Sequence, residues 1–300
     1  MTAILVLALA LAALNLQSPV PAATYVPERV YDTRRRAFSD FEMMLADVAA
    51  TDVVFVGEQH DDPNTHRLEA AILEGLRRRV SAVTLSLEMF ERDTQSTIDG
   101  YLAGRMAEEE FLKTARPWPR YATDYRALVE LAKAQGWPVI ASNVPRKYAS
   151  AIAKSGLGVL DGLAPEERAL VAADVRCPHD RYFTRFSESM SSHPIPGSER
   201  LSPEERRTVT ERYYLSQCVK DETMAEAIAG GVERSGKRIV VHFNGAFHSD
   251  FGLGTVDRVR RRLEGRRVAI ISVLPVKDLD ALAPAGEDLE RADYLVYTVK

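Results

Sequence analysis

The chain predicts an α/β fold, with a mostly parallel central sheet flanked by helices and an inserted helical cap. Three observations carry this. Short apolar runs rich in β-branched residues at 53–56, 83–87, 139–142, 239–243 and 268–274 alternate with longer stretches of helical periodicity. Two of those runs end in the same pattern, Gly57-Glu58-Gln59-His60 and Gly245-Ala246-Phe247-His248. Residues 155–203 break the alternation with turn residues and charge, as an insertion would.

The elements are taken here in chain order. Residues 25–39 are short and polar and lead into a helix through Phe41, Met44 and Leu45. The run Val53-Val54-Phe55-Val56 is the first strand, and Gly57 gives the backbone freedom to turn. Asp61, Asp62 and Asn64 are placed to cap a helix over 66–80, where Leu68, Ile72 and Leu76 recur at helical spacing. The second strand, 83–87, runs into Glu88. Residues 94–114 predict two helices broken at Gly104. The aromatic loop Arg116-Pro117-Trp118-Pro119-Arg120-Tyr121 comes next, since two prolines forbid a regular helix there. A helix over 124–135, ended by Gly136, and the strand 139–142 complete the first half. Beyond the insertion, 208–229 predicts a long helix ended by Gly230 and Gly231. Strands at 239–243 and 268–274 flank a helix over 256–263, and 294–299 is a terminal strand.

Bulk properties bound the rest. Three hundred residues with 46% apolar content suit one large domain or two small ones with a sizeable core. A formal net charge of -4 gives no nucleic-acid footprint, so no nucleic-acid partner is expected. The triplets 77–79 and 260–262 read as solvated helix faces. Residues 4–14 form an apolar run too short to span a bilayer, succeeded by Val20-Pro21-Ala22, a small-residue cleavage site. Residues 1–22 therefore read as a signal peptide, although Lys and Arg are missing from the start, and 23–300 as the mature domain. This predicts an exported, periplasmic or envelope-associated protein, and no Cys after the apolar run points to a lipid anchor. Cys177 and Cys218 either pair or stay as separate buried thiols; spacing does not choose.

Ligands of open α/β sheets bind beyond the carboxyl ends of the strands. Glu58, His60, Glu88 and His248 all fall there, with Arg146 near by topology. Imidazoles beside carboxylates can hold a borderline divalent metal such as Zn²⁺ or Mn²⁺, or act as an oriented general base. For any one of these groups a hydrogen-bonded strand end is the blander account; convergence on one rim favours a site. His242, inside its strand, reads as a satisfied core histidine, His66 as either pocket or surface, and His179 and His193 as loop residues. Tyr121 and Tyr125 offer phenolates able to ligate ferric haem, against the alternative of simple packing.

The order of motifs carries a resemblance. G-E-Q-H-D-D-P at 57–63, S-L-E-M-F at 86–90, Y-R-A-L-V-E-L-A at 125–132, S-N-V-P-R at 142–146, G-A-F-H at 245–248 and D-Y-L-V-Y-T at 293–298 resemble the ChaN-like haem-binding proteins. These are similar to a wider superfamily of Tiki and TraB proteins and erythromycin esterases, sharing two Gly-x-x-His motifs and a strand-end Glu. The resemblance implies haem binding in bacterial iron acquisition. Haem would lie between two subunits, with a Tyr ligand from one and a His near the propionates from the other. On this chain the candidates are Tyr125 or Tyr121, with His60, His66 and His248. It also implies a homodimer on haem binding and an outer-membrane haem transport system as partner. The hydrolytic relatives imply an alternative, a metal-dependent hydrolase using Glu58, His60, Glu88, His248 and Arg146.

Overall fold

A computed structural model of the chain describes residues 25–192, 200–236 and 238–300. The signal-peptide expectation over 1–22 and His193 lie outside the described residues. In chain order the regular elements are β1 (Glu28–Asp32), β2 (Ala37–Ser39), α1 (Phe41–Val48), β3 (Val53–Glu58), α2 (Pro63–Arg77), β4 (Val83–Glu91), α3 (Gln95–Leu102), α4 (Glu108–Ala115), α5 (Tyr121–Asp124) and α6 (Arg126–Gln135). Then come β5 (Val139–Asn143), α7 (Arg146–Ser155), α8 (Pro165–Arg168), α9 (Arg181–Ser192), α10 (Pro203–Ser235), β6 (Ile239–Gly245), α11 (Thr255–Arg262), β7 (Val268–Val276), α12 (Asp288–Arg291) and β8 (Tyr294–Val299).

The strands form one eight-stranded sheet in the order β2-β1-β8-β7-β3-β6-β4-β5. From β8 to β5 every pairing is parallel, and β1 joins antiparallel to β8 and β2. This is the mostly parallel α/β sheet the alternation predicts. Successive residues of a strand point to opposite faces. Val54 and Val56 accordingly pack with α1 and α2, while Val53 and Phe55 pack with α10 and α11. Both faces are covered, which is why the strand reads as an unbroken apolar run rather than an alternation.

Local chemistry sets the helix ends. Asp62 caps α2, its carboxylate taking the Thr65 N–H at 2.8 Å, with Pro63 in the first turn where no N–H is needed. Ser202 and Glu205 form a reciprocal capping box at the start of α10.

Two expectations are corrected. The polar stretch 25–39 holds an antiparallel hairpin, because β8 offers an edge for β1 to pair with. The long helix does not stop at Gly230 and Gly231 but runs to Ser235. A Cβ on Gly231 would fall 2.6 Å from Ile140 Cδ1, so this glycine lets the helix lie close on the sheet.

Between α7 and α10 the described part of 155–203 is a short turn at Leu157–Leu160, then α8 and α9. Cys177, ahead of α9, is disulfide-bonded to Cys218 of α10, with Cα atoms 5.7 Å apart. Among the described residues no helix is long and apolar enough to cross a membrane.

Candidate functional site

β3 and β6 are neighbours in register, with Gly57 opposite Asn244 and Glu58 opposite Gly245. The two Gly-x-x-His corners therefore leave the sheet side by side. Their glycines serve close approach, and Gly57 lies within β3 rather than ending it. A Cβ on Gly57 would sit 2.9 Å from Ser249 Oγ and 3.1 Å from Ala246 Cα; one on Gly245 would sit 2.7 Å from His60 Nε2. Neither has a positive φ, so space and not backbone freedom demands glycine.

The corners open on a cavity of about 730 Å³ lined by Glu58, His60, Glu88 and His248. Its apolar wall comes from Trp118, Phe186 and Phe247, and its cations are Arg185, Lys220 and Arg291. Four of the sequence candidates thus meet at one mouth.

The two histidines differ in setting. His60 is 45% exposed, and its Nδ1 lies 2.5 Å from Glu58 Oε1. Burial opposes its charge, but the Glu58 hydrogen bond and the Glu88 charge outweigh that and raise its pKa. His248 is buried, with Nδ1 2.7 Å from Asp221 Oδ1 and Nε2 3.3 Å from Glu88 Oε1. Burial again disfavours the cation, yet Glu88 and Asp221 push its pKa up to about 10. Both carboxylates are held below their ordinary range: burial opposes this, and the His248 charge wins. Glu88 Oε2 also accepts the Gly245 N–H at 2.8 Å, tying β4 to the β6 corner. The two carboxylates that bracket His248 thus favour its imidazolium form.

Behind Glu58 lies a second, buried cluster. Glu58 Oε1 accepts the Tyr125 O–H at 2.8 Å, and Glu58 Oε2 faces His66 Nδ1 at 3.7 Å. His66 Nδ1 lies 2.9 Å from Glu69 Oε2, and its Nε2 lies 3.1 Å from the His60 carbonyl oxygen and 3.4 Å from Asp124 Oδ2. Burial and the Glu58 charge raise the Glu69 pKa well above the usual carboxylate range.

Several candidates fall elsewhere. Tyr125 is buried with its phenol committed to Glu58, burial pushes its pKa up, and it does not line the cavity. Tyr121 is packed in the core against Phe90 and Phe111, because α5 turns it inward. From the aromatic loop it is Trp118 that meets the cavity, edge-on to His60 at 5.0 Å. His66, left open between pocket and surface, is in neither place: it is 4% exposed and inside the second cluster. Arg146 lies exposed on a neighbouring cleft that shares Trp118, Gln217 and Lys220 with the main cavity. The expected metal set of Glu58, His60, Glu88 and His248 is not the set that gathers its donor atoms: among the described residues Glu58, His66 and Glu69 do so, within 4.8 Å. His242 is a core histidine as expected but is only half satisfied: it is fully buried, Nδ1 lies 2.9 Å from Ser86 Oγ, Nε2 has no hydrogen-bond partner among the described residues, and burial drives its pKa down to about 3.

Sequence reasoning missed Asp221, Gln217 and Lys220, all on α10, and Arg185 on α9. Asp221 carried only a weak signal, because it sits in the polar run Lys220-Asp221-Glu222-Thr223 between Val219 and Met224. Glu69 carried another, since His66-x-x-Glu69 places both on one helix face.

Comparison with known proteins agrees with this fold. No curated protein sequence matches the chain. The structure titled "Cofacial heme binding to ChaN of Campylobacter jejuni" superposes with a TM-score of 0.67 at 17% identity, covering 91% of this chain and 97% of that one. An erythromycin esterase variant in its open conformation matches with a TM-score of 0.45 at 13% identity, covering 91% of this chain and 83% of that one. A Bacillus cereus protein matches with a TM-score of 0.46 at 13% identity, covering 86% and 73%. The family model described as haem-binding uptake, Tiki superfamily, ChaN matches residues 44–259, and the chain belongs to that family of haem-binding proteins.

Proposed function

We propose that this chain is an exported haem-binding protein of bacterial iron acquisition, and that the cavity at the two glycine corners is where haem sits. One observation carries the reading: an imidazole, His60, stands 45% exposed at the mouth of a cavity with apolar walls and cations. Sites for flat organic ligands are mostly apolar with a few placed polar groups, and about 300–1,000 Å³ in volume. The residues present fit the group. Trp118, Phe186 and Phe247 would bracket the macrocycle, and Lys220 and Arg185 would meet the propionates. Lys220 makes no salt bridge among the described residues, so it has charge to offer, whereas Arg185 already pairs with Glu287 at 3.2 Å.

His60 is the residue that would hold the iron. Its Nδ1 is held by Glu58, which orients the ring and raises its basicity, as outer carboxylates do for ligating histidines. When bound, haem supplies the iron and its redox chemistry. The protein's part is to orient the ring, exclude water and hold the propionates. Among the described residues Tyr182 is the tyrosine that borders the cavity, but it is as buried as Tyr125 with its pKa raised by burial, so it would have to turn outward to serve as a ligand. The half-open cavity suits closure by a second copy, so the haem-loaded form is proposed as a homodimer that exchanges haem with an outer-membrane transport system. The Cys177–Cys218 disulfide supports export to an oxidising compartment, periplasmic or envelope-associated.

Titration of purified protein with haem, read at the Soret band, tests this. Wild type is expected to give a stoichiometric band that His60→Ala shifts or abolishes and Tyr121→Phe and Tyr125→Phe leave alone; Tyr182→Phe decides the tyrosine. A wild-type protein with no band at equimolar haem ends the proposal. The hydrolase reading is weaker because both nitrogens of His248 are already engaged, Nδ1 by Asp221 and Nε2 by Glu88, which leaves the ring poorly placed as a general base.

A further inference from the structure

We infer that Glu58, His66 and Glu69 form a site for one divalent first-row cation of the Zn²⁺, Mn²⁺ or Fe²⁺ kind, beneath the cavity floor. This does not rest on haem binding, and it uses residues that the cavity does not need, apart from Glu58. The donor atoms of the three side chains lie within 4.8 Å of one another, and all three residues are buried. One imidazole nitrogen and two carboxylates are a donor set that such ions accept.

Two buried oxygens are left over. Glu58 Oε2 and Glu69 Oε1 have no hydrogen-bond partner among the described residues, although Glu58 is 2% exposed and Glu69 fully buried. A buried carboxylate oxygen without a partner is costly, and a cation seated in the cluster would relieve Glu58 Oε2, which lies 3.7 Å from His66 Nδ1.

The surroundings are already those of a metal-ligating histidine. Such a ring gives one nitrogen to the ion and donates its other N–H to a carbonyl or carboxylate. Here His66 Nδ1 faces Glu69 Oε2 at 2.9 Å and Glu58 Oε2 at 3.7 Å, while Nε2 faces the His60 carbonyl at 3.1 Å and Asp124 Oδ2 at 3.4 Å. Nε2 thus faces acceptors and keeps its proton, while Nδ1 shares with Glu69 a position that either a proton or an ion can fill. Glu58 is steadied from outside as well, through His60 Nδ1 and the Tyr125 phenol on Oε1. Glu58 borders the cavity with its side chain fully buried behind the half-exposed His60 ring, so an ion would enter by displacing that ring. A bound ion would displace protons from the cluster to solvent. It would also draw on the Glu58 charge that holds His60, linking the two sites.

Titrating metal-free, haem-free full chain with Co²⁺, and with Zn²⁺ in competition, tests the site. One equivalent is expected, with a Co²⁺ visible spectrum that Zn²⁺ erases and protons released in unbuffered solution. Glu69→Gln and His66→Asn are each expected to weaken binding at least tenfold while keeping a cooperative melt and the haem Soret band. His179→Ala, on the surface, controls for adventitious sites. No saturable equivalent in wild type overturns the inference, as does equal binding in both cluster variants. An infrared carboxylic-acid band, lost in Glu69→Gln but unmoved by Zn²⁺ in wild type, also overturns it, because a shared proton then fills the gap. The wild-type measurements need no variant to fold.

Discussion

His60 and His248 come from the same local pattern on adjacent parallel strands, and they end in opposite conditions. The first is 45% exposed with one carboxylate against it; the second is 6% exposed and held by two. The difference lies in the segment that continues and covers each corner. After His60 the chain turns directly into α2, so the ring stays at the cavity mouth. After His248 the chain runs through tight turns beneath α10, which presents Gln217 and Asp221 to the ring. The motif delivers an imidazole to the sheet edge, and the helix laid over it decides whether that imidazole binds something or holds the fold.

The largest effect should come from breaking the buried member. His248→Ala leaves Glu88 and Asp221 buried without their cation, and removing one partner of a buried pair costs about 3–5 kcal/mol. Thermal or denaturant unfolding should show a loss of that order, while His60→Ala, removing a half-exposed ring, should leave the midpoint nearly unchanged. Equal losses in the two variants would erase the contrast.

The pH profile sharpens it. The folded pKa of His248 is raised to about 10. Its contribution is therefore complete below the ordinary imidazole value, about 6.5, and is lost as pH rises through about 10. Glu88 and Asp221 are depressed, so their contribution is present above the ordinary carboxylate range and lost as pH falls below about 4. Stability should be greatest between about pH 5 and 6.5, and melting curves of a His248→Gln variant should lack the alkaline decline.

Gly245→Ala probes the contact between the corners. The added methyl would meet the His60 ring at 2.7 Å. The ring is the end of a partly exposed side chain and can swing away, so the expected cost is about 1–2 kcal/mol, with a larger effect on the Soret band than on the melt. The smallest effect is expected from Tyr125→Phe, which removes one hydrogen bond to Glu58 and should cost about 1 kcal/mol with the haem spectrum unaltered. A spectrum that changes in this variant would return Tyr125 to the haem site.

Much of this was legible in the residues alone. Val53 to Val56 and Ile239 to Phe243 read as buried parallel strands because both faces of such a strand are apolar, and their Gly-x-x-His endings placed two imidazoles past the same sheet edge. Order of motifs named the family. Only tertiary structure could pair β1 with β8 in place of polar coil, carry α10 past Gly230 and Gly231, and commit the Tyr125 phenol to Glu58. It alone brought Asp221, twenty-seven positions earlier in the chain, against His248. Strand and helix periodicity is set by neighbours along the chain, so a sequence displays it. The charge state and exposure of a side chain are set by groups distant in sequence, and those meet only once the sheet has its order and the long helix lies across it.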